Sequence, residues 1–127
     1  MTTMEFFPPF KRFEENINLK KNQIIHTKFS ADLDTPVSLM IKLDSQQSNS
    51  FLLESVTGGK IKGRFSIIGI KPDLIWRYSG DFPEINRQAL HKENSFRKAG
   101  TSVLSSLREI IKESTVDIPD NLPTMCA

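Results

Sequence analysis

Phe51-Leu-Leu-Glu-Ser-Val-Thr-Gly-Gly-Lys-Ile-Lys-Gly-Arg-Phe-Ser-Ile-Ile-Gly69 is the stretch whose reading decides the fold. Phe51 to Val56 is a short run of strand formers, and Val56-Thr57-Gly58-Gly59 breaks it. Gly63 to Ile70 is a second run, with Ile67, Ile68 and Ile70 apolar. Lys71-Pro72-Asp73 is a turn in which the proline presets φ. Leu74 to Tyr78 then alternates, with Leu74, Trp76 and Tyr78 on one face. The three runs predict an antiparallel meander.

Working outward toward the N-terminus, Asp34-Thr35-Pro36 is a helix start. Asp34 or Thr35 can cap the free amides, and Pro36 suits the first turn because its missing N–H would be unpaired there. Val37, Met40 and Ile41 share a face, and the helix should end near Leu43. The polar segment from Asp44 to Ser50 is a loop. Gln23 to Phe29 is short and β-branched and predicts a strand, and Phe10 to Leu19 predicts a helix with Phe10, Phe13 and Ile17 on one face. The residues up to Pro8-Pro9 look disordered.

Toward the C-terminus, Ser79 to Gly100 is charged and weakly patterned and predicts a long excursion or partial disorder. Thr101 or Ser102 caps a helix whose apolar residues Val103, Leu104, Leu107, Ile110 and Ile111 form one stripe. The last stretch, from Asp117 with Pro119 and Pro123, ends on Thr124-Met125-Cys126-Ala127, apolar and uncapped, like a chain cut short.

Composition narrows the classes of function. At 127 residues the chain is at most one small domain, and its hydrophobic share of 38% is lean enough that part of its apolar surface should belong against something else. Basic and acidic residues, 17 and 15, are interspersed and give a net charge of +2, which argues against a nucleic-acid binder with its basic stripe. The lone Cys126 cannot form an internal disulfide, which fits a reducing compartment. No apolar run reaches the ~18 residues of a membrane span, and the first residues do not form a signal peptide. The expected location is the cytoplasm.

No catalytic constellation is visible. His26 and His91 lie far apart and outside metal-ligand spacing, and His26 reads as a strand or surface histidine. Gly58-Gly59-Lys60 lacks the span and the following Ser or Thr of a phosphate loop, so it reads as a turn. The hairpin end is richer. A small zwitterion with an apolar body would find ammonium acceptors in Glu54 and Ser55, and carboxylate donors in Arg64, Lys62 or the amide of Gly63. Phe65 and Leu53 are candidate apolar walls. Alternation puts Leu53 and Ser55 on one face and Glu54 on the other, so Glu54 and Ser55 share a ligand only if the strand bends or ends there. The plain alternative is a hairpin with an exposed Glu–Arg pair worth ~0.2–1 kcal/mol.

The stretches Asp32-Leu-Asp-Thr-Pro-Val-Ser38, Phe51-Leu-Leu-Glu-Ser-Val56 and Gly63-Arg-Phe-Ser-Ile-Ile-Gly69 closely resemble the N-terminal region of anthranilate synthase component I. Glu84-Ile-Asn-Arg87 and Leu122-Pro-Thr-Met125 are similar to that family too, so the resemblance runs in order along nearly the whole chain. It implies a lyase that converts chorismate to anthranilate, the first committed step of tryptophan biosynthesis. Such a subunit uses Mg²⁺ and ammonia delivered by a glutamine amidotransferase partner. Residues 1–127 would be its N-terminal regulatory region, without the catalytic, chorismate-binding and Mg²⁺-binding part, and therefore inactive alone.

The resemblance also implies feedback inhibition by L-tryptophan. Residue by residue, its site maps onto Leu53, Glu54 and Ser55, and onto Lys62, Gly63, Arg64 and Phe65. The implied fold is α+β: an antiparallel sheet from strands near 23–29, 51–56, 63–70 and 73–79 with two flanking helices. The sheet would be part of a larger orthogonal β-sandwich. Two other readings are the same region of aminodeoxychorismate synthase or another chorismate-using relative, and an independent small binding module.

Overall fold

The structure, a computed structural model, describes residues 4–43, 48–54, 65–100 and 102–123. The chain divides into two compact units, Met1–Ser30 with Leu104–Ala127, and Ala31–Val103. Its helices and small antiparallel sheets make it α+β.

In the first unit, β1 (Phe6–Phe7) pairs antiparallel with β2 (His26–Thr27), and α1 (Phe10–Asn18) lies between them in sequence. The expected strand over 23–29 is thus only two residues long, and its partner lies in the start that sequence reading left as disordered-looking. The Thr27 hydroxyl extends the pairing by donating to the Glu5 carbonyl at 2.7 Å. Pro9 caps α1 without a side-chain bond, its carbonyl accepting from the amides of Arg12 and Phe13. The helix ends in a Schellman arrangement. The Lys20 amide donates to the Ile17 carbonyl, the Lys21 amide donates to the Asn16 carbonyl, and Lys20 takes the left-handed φ of 53°. An L side chain there costs about 1–2 kcal/mol, which is why glycine is usual.

Before α3 (Val103–Glu113) the chain carries Ser102. The expected stripe is only partly covered. Val103, Leu107 and Ile110 are half-buried and Ser106 is buried, whereas Leu104 and Ile111 remain 62% and 61% exposed. The side turned inward is therefore the i, i+3, i+4, i+7 row that includes a serine.

In the second unit, α2 (Pro36–Leu43) begins where the sequence predicted, with Pro36 in its first turn. Thr35 is the cap. Its hydroxyl accepts from the Ser38 amide at 3.1 Å, and its own amide donates to the Ser38 hydroxyl at 2.9 Å, a reciprocal box. The helix packs on the hairpin of β3 (Phe51–Glu54) and β4 (Ser66–Gly69), whose register sets Phe51 opposite Gly69 and Glu54 opposite Ser66. A Cβ at Gly69 would overlap the ring of Phe51 opposite it, so a larger residue there requires that half-exposed ring to swing aside.

Among the described residues the strands form three small separate sheets in place of the expected single four-strand sheet and meander. β5 (Ile75–Tyr78) pairs not with β4 but with β6 (Pro83–Asn86), which pairs in turn with β7 (Arg97–Lys98). The region expected to be an excursion, 79–100, thus supplies two strands. Ser79-Gly80-Asp81 makes the reversal, with Gly80 at a φ of 116° that L residues rarely adopt. The Tyr78 hydroxyl donates to the Gly80 carbonyl at 3.0 Å. Pro83 opens β6, where a missing N–H is tolerated, and its carbonyl accepts from the Ala99 amide at 2.7 Å. Opposite Arg77 stands Glu84, bonded Nε to Oε2 at 2.8 Å, while the guanidinium lies 3.6 Å over the Phe96 ring.

Among the described residues no hydrophobic side chain is fully buried, and the most enclosed side chains are Asn86 and Pro83. Asn86 Nδ2 donates to the carbonyls of Lys92 and Glu93 at 2.6 and 3.0 Å, and Oδ1 accepts from the Gln88 amide at 2.9 Å. Asn86→Asp keeps the shape but turns two donors into an acceptor facing two carbonyls; the expected loss is ~3 kcal/mol of unfolding free energy, measured by urea titration. Lys20→Gly relieves the left-handed penalty, less the entropy glycine loses, and is expected to raise stability by ~0.5 kcal/mol in the same titration.

Candidate functional site

The end of the β3–β4 hairpin holds the residues singled out above. Leu53 stands opposite Ile67 and is 59% exposed; Glu54 stands opposite Ser66, the last described pair, and is also exposed. Phe65 is the residue immediately before β4 and is 40% exposed. Ser55, Lys62, Gly63 and Arg64 lie outside the described residues. Strand alternation places Leu53 and Glu54 on opposite faces of the hairpin. The structure therefore brings Leu53, Glu54 and Phe65 to one end of the hairpin, not to one face of it. Glu54 has no side-chain hydrogen bond or ion pair among the described residues.

The helix packed on this hairpin carries a charge device of its own. Asp34 Oδ1 accepts from the Ser38 hydroxyl at 3.1 Å and from the ammonium of Lys42, in the last turn of the helix. The Lys42 hydrogen bond, followed by that of Ser38, holds the Asp34 carboxyl below its ordinary value of 3.8. Both Asp34 and Thr35 thus act at the helix start, Thr35 on the backbone and Asp34 on side chains.

Sequence reasoning missed a concavity in the first unit, around His26. That ring stacks on Phe7 with centroids 5.4 Å apart, and its Nε2 lies 3.0 Å from Asn121 Nδ2. The partner is 95 residues away in sequence, so no local pattern marks it. Among the described residues no group of three or more His, Cys, Asp or Glu side chains is placed to hold a metal ion, and no helix is long and apolar enough to cross a membrane.

Comparison with known proteins adds a likeness in sequence. The chain is 45% identical over 118 residues, 93% of its length, to anthranilate synthase component 1 of Cereibacter sphaeroides. It is 34% identical over 119 residues, again 93% of its length, to anthranilate synthase component 1 of Synechocystis. The protein of that name from Pseudomonas putida is 36% identical over 89 residues. The chain resembles anthranilate synthase component 1 along nearly its whole length and spans about a quarter of the length of these curated relatives, 24% of the first and 22% of the second. No family model and no solved structure matches it.

The Asp34 arrangement has a definite pH signature. A carboxyl lowered in the folded state stabilises it above the ordinary value and loses that contribution as the pH falls through it. The gap in melting temperature between the natural chain and Asp34→Asn should be present at pH ~6 and should narrow as the pH falls below the ordinary carboxyl value of 3.8 and through the lowered folded-state one, as followed by circular dichroism.

Proposed function

We propose that this chain, a sequence of the anthranilate synthase component 1 type, is the N-terminal regulatory region of such a subunit. The observation that carries the reading is the 45% identity maintained over 93% of the chain. The full subunit would convert chorismate to anthranilate in the cytoplasm, with ammonia from a glutamine amidotransferase partner. Chorismate and Mg²⁺ would be held by the part of the subunit beyond the quarter spanned here, which is why residues 1–127 alone would be inactive. The small sheets would join a larger orthogonal β-sandwich, whose remainder would cover the apolar side chains exposed here, Leu53 and Leu104 among them.

The role assigned to the hairpin end is binding of L-tryptophan. The ammonium would be received by Glu54 and Ser55, the carboxylate by Arg64, Lys62 or the Gly63 amide, and the ring would rest on Leu53 and Phe65. The Glu54 carboxylate, without a side-chain partner among the described residues, and the exposure of Leu53 and Phe65 at the same end of the hairpin support this reading. Tryptophan bound there would favour a state of the full enzyme that binds chorismate poorly, because a ligand shifts an equilibrium by its differential affinity for the two states.

The test is feedback inhibition of the full-length subunit carrying Ser55→Ala. The tryptophan concentration for half-inhibition should rise at least ~10-fold with the uninhibited rate unchanged. Undiminished inhibition would refute the assignment. Complementation of a tryptophan auxotroph, and not of a folate-pathway auxotroph, separates this reading from aminodeoxychorismate synthase.

A further inference from the structure

The concavity of the first unit encloses about 390 Å³, enough for a small metabolite. One wall is α1 with the turn that follows it, and the other is the segment after α3. Side-chain amides hold these walls in place. Asn22 Nδ2 donates to the carbonyls of Glu113 and Thr115 at 2.9 and 3.1 Å, tying the two walls together across more than 90 positions of sequence. Asn121 and His26 meet across them at 3.0 Å. Asn16 Nδ2 donates to Gln23 Oε1 at 3.0 Å, and Gln23 Nε2 donates to the Phe13 carbonyl at 3.2 Å, which fixes the first wall on itself. The amides are thus spent on the walls.

The charged side chains of the lining are not. Arg12 and Lys21 come from the first wall, and Asp117 and Asp120 from the second. None of the four has an ion pair or side-chain hydrogen bond among the described residues. Arg12 and Lys21 thus belong to the wall formed by α1 and the turn after it, and Asp117 and Asp120 to the segment after α3, and all four residues are exposed. A ligand that satisfies both sides carries an anion and a cation of its own. Between them Phe7, Ile24, Ile118 and the neighbouring prolines supply apolar wall.

The geometry points to a second small-molecule site, for a free amino acid. Its carboxylate is received by Arg12 and Lys21, as charge-assisted hydrogen bonds favour. Its ammonium is received by Asp117 and Asp120, and its side chain by the apolar wall. This site lies in the unit of Met1–Ser30 and Leu104–Ala127, whereas the hairpin end lies in the other, so it does not rest on the tryptophan reading.

The test is amide-shift titration of the chain by NMR with glycine, L-leucine and L-phenylalanine. The leucine analogues 4-methylpentanoate and L-leucinamide lack the ammonium and the carboxylate, respectively. Saturable shifts at Arg12, Lys21 and Asn121 are expected with at least one amino acid, and both analogues of leucine should bind at least ~10-fold more weakly than leucine itself. Arg12→Gln and Asp120→Asn should each weaken binding ~10-fold, while Ser55→Ala should leave it unchanged, which separates failure here from failure at the hairpin. Three results would overturn the inference: no saturation by ~10 mM with any of the three, equal binding of either analogue, or indifference to both charge variants.

Discussion

The Asn86 amide holds the three-stranded sheet to the loop that leaves it. It is fully enclosed, and it makes three hydrogen bonds to the backbone of residues 88–93. A single such bond contributes only ~1 kcal/mol net, but a buried carbonyl left without its donor costs more than that. Asn86 is the last residue of β6, the strand that sets Glu84 opposite Arg77 and Ile85 opposite Arg97. Asn22, Asn121 and Gln23 play the same part in the other unit, each closing a loop that apolar contact leaves open.

That reliance on amides follows from how the apolar residues are placed. Fully burying a large aliphatic or aromatic side chain stabilises a fold by ~1.5–3 kcal/mol. Phe10, Ile17, Leu53, Leu104 and Ile111 are each more than half exposed and contribute little of it. They lie on α1, β3 and α3, and further large apolar side chains are exposed on α2 and between the elements, Ile41 and Leu33 among them. A chain spanning about a quarter of the length of its relatives is where such unpaired apolar faces are expected.

What the sequence made legible were features with a local cause. The start of α2 was readable because Thr35 and Pro36 act within one turn, and the β3–β4 hairpin because both strands carry dense β-formers. The partition of strands into sheets was not readable. β5 leaves β4 for β6, and the agents are Gly80, whose backbone angle is invisible in sequence, and Pro83, which normally argues against a strand. The stripe of α3 was legible as a period but not in phase: the row turned inward runs through Ser106, and Leu104 and Ile111 lie beside it. At the candidate site, strand alternation is a local rule that applies to Leu53 and Glu54 on β3, whereas the amide-walled cleft depends on contacts more than 90 residues apart that no spacing rule reaches.

The separation of Leu53 and Glu54 constrains any ligand of the hairpin. A molecule lying on either face of β3 meets one of the two residues, never both. Contact with both requires a position over the end of the strand pair, beyond Glu54 and Ser66, where Phe65 also stands. Under the proposed function the sheet then supplies a fixed edge, and residues 55–64 supply the groups that distinguish one ligand from another. On that account Leu53 and Glu54 serve both the pairing of β3 with β4 and the contact with the ligand, so a substitution at either residue bears on both.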